Sequence, residues 1–226
     1  MNLSATHPNA PCASTITPNF DRLAPIYRWM EWLTFGPYLR RCRCAFLSQL
    51  MHCRRALILG DGDGRFTARL LRVNPFVRID AVDASPAMLQ ALTRRAGRHR
   101  QRVHAHCTDV RAWQPRNEPY DLIVTHFFLD CLSTEEVFSL AGRLQPVTKP
   151  GTVWLVSEFN LPPGPIAQRI GRLLISLLYR TFGWLTGLRA SSLPDHRAAL
   201  VKTGFALACR RTWLHELLVS EFWSFS

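Results

Sequence analysis

Short runs rich in Val, Ile and Leu alternate along this chain with stretches whose apolar residues recur at helical spacing. The runs are 56–59, 77–82, 102–107, 121–125 and 152–158, and the helical stretches are 65–73, 86–97 and 134–144. This order constrains the fold strongly, because parallel neighbours in a sheet can be joined only by a long crossover, usually a helix. Strands this apolar also imply a sheet covered on both faces. After a helix closed by Gly204, two more runs at 205–213 and 216–223 lie close together and read as an antiparallel pair at the sheet edge. The expectation is α/β: a three-layer sandwich around a mostly parallel, seven-stranded sheet.

The flanking segments read differently. Residues 1–18 are polar and rich in Pro, Ser and Thr, the composition of a disordered tail. With no apolar core there to act as a signal, reduced thiols and a cytoplasmic setting are expected. The remaining 19–226 reads as one domain. Apolar spacing predicts a helix over 20–35 and a second over 37–51, together a helical lid at 20–51. Residues 163–190 interrupt the alternation with a largely apolar helical insertion, expected to cap the carboxyl ends of the strands. Arg169, Arg172 and Arg180 inside it argue against a membrane span, while apolar residues with interspersed arginines suit peripheral contact with a membrane surface.

The net charge is +12, yet Lys149 and Lys202 are the only lysines. Such an arginine skew is weak evidence for nucleic-acid binding, and runs such as Arg94, Arg95, Arg98 and Arg100 suit a solvated helix face. Of the seven cysteines, only Cys42, Cys44 and Cys53 lie near one another. A Cys-x-Cys pair on a helix points its sulfurs about 200° apart, so no metal site is expected.

The turn after the first run, "LGDGDGR", carries Gly60, Gly62 and Gly64 with Asp61 and Asp63 between them. Glycine there permits backbone angles closed to other residues and close approach of a ligand to the main chain. A dinucleotide loop needs G-x-G-x-x-G. Here the spacing is G-x-G-x-G, and two carboxylates would repel a pyrophosphate; they suit a ligand with a cationic end.

With its surroundings, this turn resembles that of the class I S-adenosylmethionine-dependent methyltransferases, whose fold is Rossmann-like. "IDAVDAS" resembles the second motif, and the resemblance implies that Asp83 binds the ribose hydroxyls of the cofactor, with Ala84 and Met88 beside it. "CTDV" implies that Asp109 meets the adenine amino group, flanked by Thr108 and Val110. "YDLIVTHFFLD" resembles the fourth strand and its exit, bringing Thr125 to the cofactor. "FDRLAPIYRWME" is similar to the opening of the ubiquinone and menaquinone methyltransferase group, which implies that Tyr27 lines a lid. One position departs: the family often has an acid where Ile58 stands, which leaves Asp61 or Asp63 to meet the cofactor's amino group.

Methyl transfer from a sulfonium is an in-line displacement, driven mainly by alignment and desolvation. A base is needed only where the acceptor must lose a proton. His126 is the first candidate, with Asp130 and Glu158 behind it; the competing reading makes His126 a core or capping histidine. "THFFLD" lacks the Asn/Asp-Pro-Pro-aromatic motif of base-methylating enzymes, which lowers the RNA reading. Leu173, Leu174, Leu177, Leu178, Phe182 and Trp184 of the insertion suit a small apolar or aromatic acceptor. The competing function is a non-catalytic member of the fold that binds cofactor or a protein partner.

Overall fold

The structure, a computed structural model, describes residues 36–164, 168–169 and 193–226. The tail at 1–18, the helix at 20–35 with Tyr27, and most of the 163–190 insertion lie outside the described residues. The helix expected over 37–51 is shorter: α1 spans Tyr38–Arg43, and a 3₁₀ turn follows at Leu47–Leu50. The break follows from tertiary anchoring. Phe46 and Leu50 are buried against the sheet layer, and Phe46 meets Phe222 edge-on at 5.5 Å.

The alternation then proceeds as the sequence implies. It runs β1 (Arg55–Leu59), α2 (Arg65–Val73), β2 (Arg78–Asp83), α3 (Pro86–Ala96), β3 (Val103–Cys107), β4 (Leu122–His126), α4 (Thr134–Leu144) and β5 (Val153–Phe159). Beyond the insertion come α5 (His196–Lys202), β6 (Phe205–Trp213) and β7 (Leu218–Phe225). The seven strands lie in the order β3-β2-β1-β4-β5-β7-β6, parallel through β5, with β7 antiparallel to both neighbours. The closing pair therefore sits with β7 inside and β6 at the edge.

Strand alternation sorts side chains into two cores. Ile58, Ile79, Val124 and Leu155 meet Phe66 and Leu70 of α2 and Leu89 and Leu92 of α3. Leu57, Ile123, Trp154 and Val156 meet Val137, Leu140 and Leu144 of α4 and Leu200 of α5. Helix starts are capped locally: Ser133 and Glu136 form a reciprocal capping box on α4, and Ser85 Oγ accepts from the Met88 amide of α3. Among the described residues no helix is long and apolar enough to cross a membrane.

The end of the sheet opposite the strand carboxyl termini is tied by a buried polar network. Tyr120 donates its hydroxyl proton to Asp80 Oδ2 at 2.8 Å, and Arg55 Nη2 approaches the same oxygen at 3.2 Å. Burial pushes the Asp80 carboxyl up, but hydrogen bonds from His106, Tyr120 and Arg55 outweigh it and leave the pKa at about 2. A folded value below the unfolded 3.8 means that the ionised form stabilises the fold above pH 4 and that this contribution is lost as pH falls through about 2. Asp80→Asn is expected to cost about 2 kcal/mol at pH 7, with the gap to wild type closing between about pH 4 and 2 in urea melts.

Candidate functional site

The chain leaves β1 toward β2 on one side and returns to β4 on the other. Connections on the two sides diverge at this reversal and open a crevice at the carboxyl ends of β1 and β4. The glycine turn forms one wall. Gly60, Gly62 and Gly64 have φ of +66°, +56° and +78°, yet each is bare for a different reason. A Cβ on Gly60 would lie 2.1 Å from the Phe128 ring, and one on Gly64 would lie 2.7 Å from Leu92 Cα. A Cβ on Gly62 would meet nothing nearer than Met88 Sδ at 4.0 Å. Gly60 thus seats an aromatic ring, Gly64 lets α2 pack on α3, and Gly62, of the three, has open space beside it among the described residues.

The two acids of the turn also part company. Asp61 Oδ2 accepts from the Thr67 amide at 2.8 Å, closing the first turn of α2. Asp63 pairs with Arg95 at 2.7 Å and Arg65 at 3.2 Å, which takes it out of contention for a ligand's amino group. Asp83, ending β2, accepts from the Ser85 amide at 2.9 Å. Burial raises the Asp83 pKa to about 6; the Asp61 charge adds to this, while the Ser85 and Gly62 amides oppose it. Burial likewise raises Asp61 against the opposing pull of the Thr67 bond and Arg43. Gly62 and the acids Asp61 and Asp83 therefore face one hollow.

Other expected cofactor contacts are redistributed. Met88 borders Gly62 and Ala84 follows Asp83, while the Thr108 amide donates to the Asp83 carbonyl at 3.1 Å. Asp109 is held by Arg111, whose Nε lies 2.9 and 3.0 Å from its two oxygens and whose amide lies 2.9 Å from Oδ1. That pairing occupies much of its acceptor capacity. Val110 is buried in the core beside Trp113. Thr125 is fully buried, its Oγ1 accepting from Trp154 Nε1 at 3.0 Å, so its side chain packs between strands rather than against a ligand. Ile58, where an acid was looked for, is core.

The β4 exit forms the opposite wall. His126 is 4% exposed, and neither ring nitrogen has a hydrogen-bond partner. Its ring stands edge-on to Phe66 at 4.6 Å, on the α2 side of the sheet. Burial and then the Arg43 charge pull its pKa down to about 3, so it is neutral at physiological pH and a feeble base. No hydrogen bond joins it to Asp130, the partner proposed for it. Ser157 pairs with His126 in register, so Glu158 projects from the other face. Glu158 is 2% exposed, and its Oε1 accepts from the Phe128 amide at 3.1 Å and the Leu129 amide at 2.9 Å. Burial, then the neighbouring Asp130 charge, raise its pKa well above the ordinary range. Glu158 is thereby the anchor of the turn that puts Phe127 at φ +53° and Phe128 on Gly60.

Two contributors escaped the sequence reading. Arg43 lies 5.2 Å from the Phe127 ring, and its charge acts on both Asp61 and His126. Phe128 was visible only as half of an aromatic pair after a strand.

Residues 56–151 match a family model described as a methyltransferase domain. A malonyl-[acyl-carrier protein] O-methyltransferase of Halorhodospira halophila (strain DSM 244 / SL1) is 36% identical over 110 residues, 49% of this chain and 36% of that protein. The chain thus spans about a third of the length of that curated relative. The mitomycin 7-O-methyltransferase MmcR superposes with a TM-score of 0.65 at 16% identity, over 92% of this chain and 60% of that one. The N-methyltransferase NodS from Bradyrhizobium japonicum WM9, in complex with S-adenosyl-L-homocysteine, superposes with a TM-score of 0.61 at 16% identity, over 86% and 91% of the two chains. Likenesses at that identity establish the shared fold of the domain.

The glycines of the domain are separable by experiment. Gly64→Ala is expected to lose about 2–4 kcal/mol of stability, because it combines a left-handed residue with a backbone clash. Gly62→Ala should lose only about 1–2 kcal/mol, from the left-handed backbone alone. Chemical denaturation of both variants measures the difference.

Proposed function

We propose that the chain is an S-adenosylmethionine-dependent methyltransferase acting on a small molecule. The carrying observation is the bare Gly62 beside two half-buried carboxylates, Asp61 and Asp83, whose pKa values burial raises. Two acids desolvated side by side are costly until a cationic or hydroxyl-bearing ligand meets them, and the cofactor is both. Asp83 suits the ribose hydroxyls, since one carboxylate accepts from two donors. Arg43 suits the carboxylate of the cofactor's amino-acid end, and Asp61 its ammonium. The methyltransferase domain match and the small-molecule acceptors of several relatives support the reading.

When bound, S-adenosylmethionine supplies a methyl group already activated on a sulfonium. The chain's own residues then have three tasks: to hold the cofactor, to keep water out and to align the acceptor. Phe127 and Phe128 wall the hollow on the β4 side, and the protonated Glu158 holds their turn. Of the candidate bases, His126 is too acidic to take up a proton at neutral pH, and burial raises the Glu158 carboxyl well above its ordinary range while its Oε1 is engaged by two amides. The acceptor atom therefore arrives as its own nucleophile, with an ionised carboxylate oxygen as the best fit and an unprotonated amine next.

Two outcomes test this. Asp83→Asn should abolish calorimetric binding of S-adenosylhomocysteine. It should also stabilise the free protein by about 1–3 kcal/mol at pH 8 while giving no gain at pH 4. The sign follows from the raised pKa: the folded state binds the extra proton between 3.8 and about 6, so wild-type stability declines as pH rises through that window. No binding by wild type ends the enzyme reading; binding without turnover on carboxylates, phenols and amines favours the non-catalytic one. His126→Leu should keep kcat within about tenfold of wild type, whereas loss of a general base costs about 10²–10⁴.

A further inference from the structure

Helices α1 and α2 face one another across a groove of about 200 Å³ walled by arginine. Arg40 and Arg43 come from α1; Arg65, Arg69 and Arg72 come from α2; Arg95 closes the groove from α3. The spacings are i, i+3 on α1 and i, i+4, i+7 on α2, which put each set on one helix face. Sequence register, not random surface exposure, therefore builds the convergence. The floor is apolar, with Leu39, Phe66 and Ala68 all buried, and among the described residues no Asp or Glu lines the groove.

The charge is incompletely balanced. Asp63, at the margin, serves Arg65 and Arg95. Arg40, Arg69 and Arg72 make no ion pair with a carboxylate among the described residues. The Arg69 charge acts on the Cys44 thiol across the groove, which places it inward rather than out in solvent. Like charges gathered over an apolar floor repel one another, and an anion relieves that repulsion. Planar guanidinium forks match tetrahedral oxyanions in paired hydrogen bonds. The volume suits a phosphate or diphosphate with a short apolar stem, not a helix about 10–12 Å across.

The groove also shares walls with the crevice. Phe66 forms its floor and carries His126 on its other side at 4.6 Å, and Arg43 lies against Phe127 at the β4 exit. We infer that the groove between α1 and α2 binds a phosphate or diphosphate ester, the anionic handle of the methyl acceptor. The first half stands alone; the second rests on the methyltransferase reading.

The full chain is titrated calorimetrically with pyrophosphate and, separately, with inorganic phosphate. Wild type is compared with Arg69→Gln/Arg72→Gln and with Arg78→Gln/Arg100→Gln, whose arginines are exposed elsewhere. Wild type should bind pyrophosphate saturably and more tightly than phosphate. The groove pair should weaken it about tenfold or more through lost charge-assisted hydrogen bonds, and the control pair should leave it unchanged. S-adenosylhomocysteine affinity should be the same in all three proteins and with pyrophosphate present. Absent binding, including the case in which residues 1–35 fill the groove, or equal weakening by the control pair, overturns the site. Mutual exclusion of pyrophosphate and S-adenosylhomocysteine overturns the handle. Intact pyrophosphate binding with no S-adenosylhomocysteine binding rejects the methyltransferase reading and leaves the site standing.

Discussion

The hydrogen bond from the Thr67 amide to Asp61, 2.8 Å long, sets the geometry on which the crevice depends. It caps α2 from inside the turn that starts it, so strand and helix meet with no slack between them. A turn this tight needs left-handed backbone at three places, and glycine occupies all three. It also draws a carboxylate below the surface, next to Asp83, which burial has already driven toward protonation. The pair stores unfavourable electrostatics at the one point where the main chain is bare. On the proposed reading, stability is given up there for affinity, the exchange expected of a binding site.

The second wall is locked to the first. Glu158 takes the amides of Phe128 and Leu129, and this holds Phe127 in a left-handed conformation that a bulky residue enters only under constraint. The constrained turn lays Phe128 on Gly60, in space that any side chain there would claim. A glycine in one connection and an aromatic in another are thus one contact. Burial and the neighbouring Asp130 charge both disfavour ionised Glu158, so the protonated form suits the same device.

Much of this was legible from the chain. Apolar runs gave the strands, and the limits of α2 and α4 were readable because a glycine turn and a capping box mark their starts. The family motifs point to Asp83 and Gly62, which the fold sets near one another at the ends of β1 and β2. Three things were not legible, for separate physical reasons. The helix broken after Arg43 looks continuous, because its spacing is helical and only the tertiary anchoring of Phe46 and Leu50 ends it. Thr125 and His126 are neighbours on one strand, so parity sends them to opposite faces, and a motif that brings the pair to the site cannot say which side chain arrives. Asp109 is paired with Arg111, a partner two residues away that matching of motifs does not weigh.

The arginine excess, so weak a guide in the sequence, separates into distinct uses once partners are visible. Arg102 reaches the Leu71 and Asn74 carbonyls, Arg143 the Val110 carbonyl and Arg211 the Ala45 carbonyl, each stapling one segment to another. Arg55 joins the network at Asp80, and Arg197 meets the fully buried Glu221 alongside His196. A guanidinium suits these places because five donors in a fixed plane can bridge several acceptors at once, which an ammonium on a flexible stem does less well. Once these structural roles are subtracted, what stands out is not a broad basic face of the kind that tracks a nucleic-acid backbone. It is a narrow convergence on two facing helices, beside an acidic hollow. Phe66 ties this wall to the strand ends, lining the groove while it meets His126 edge-on at 4.6 Å, and on the proposed reading the groove takes the anionic end of a molecule whose reacting atom lies in the crevice.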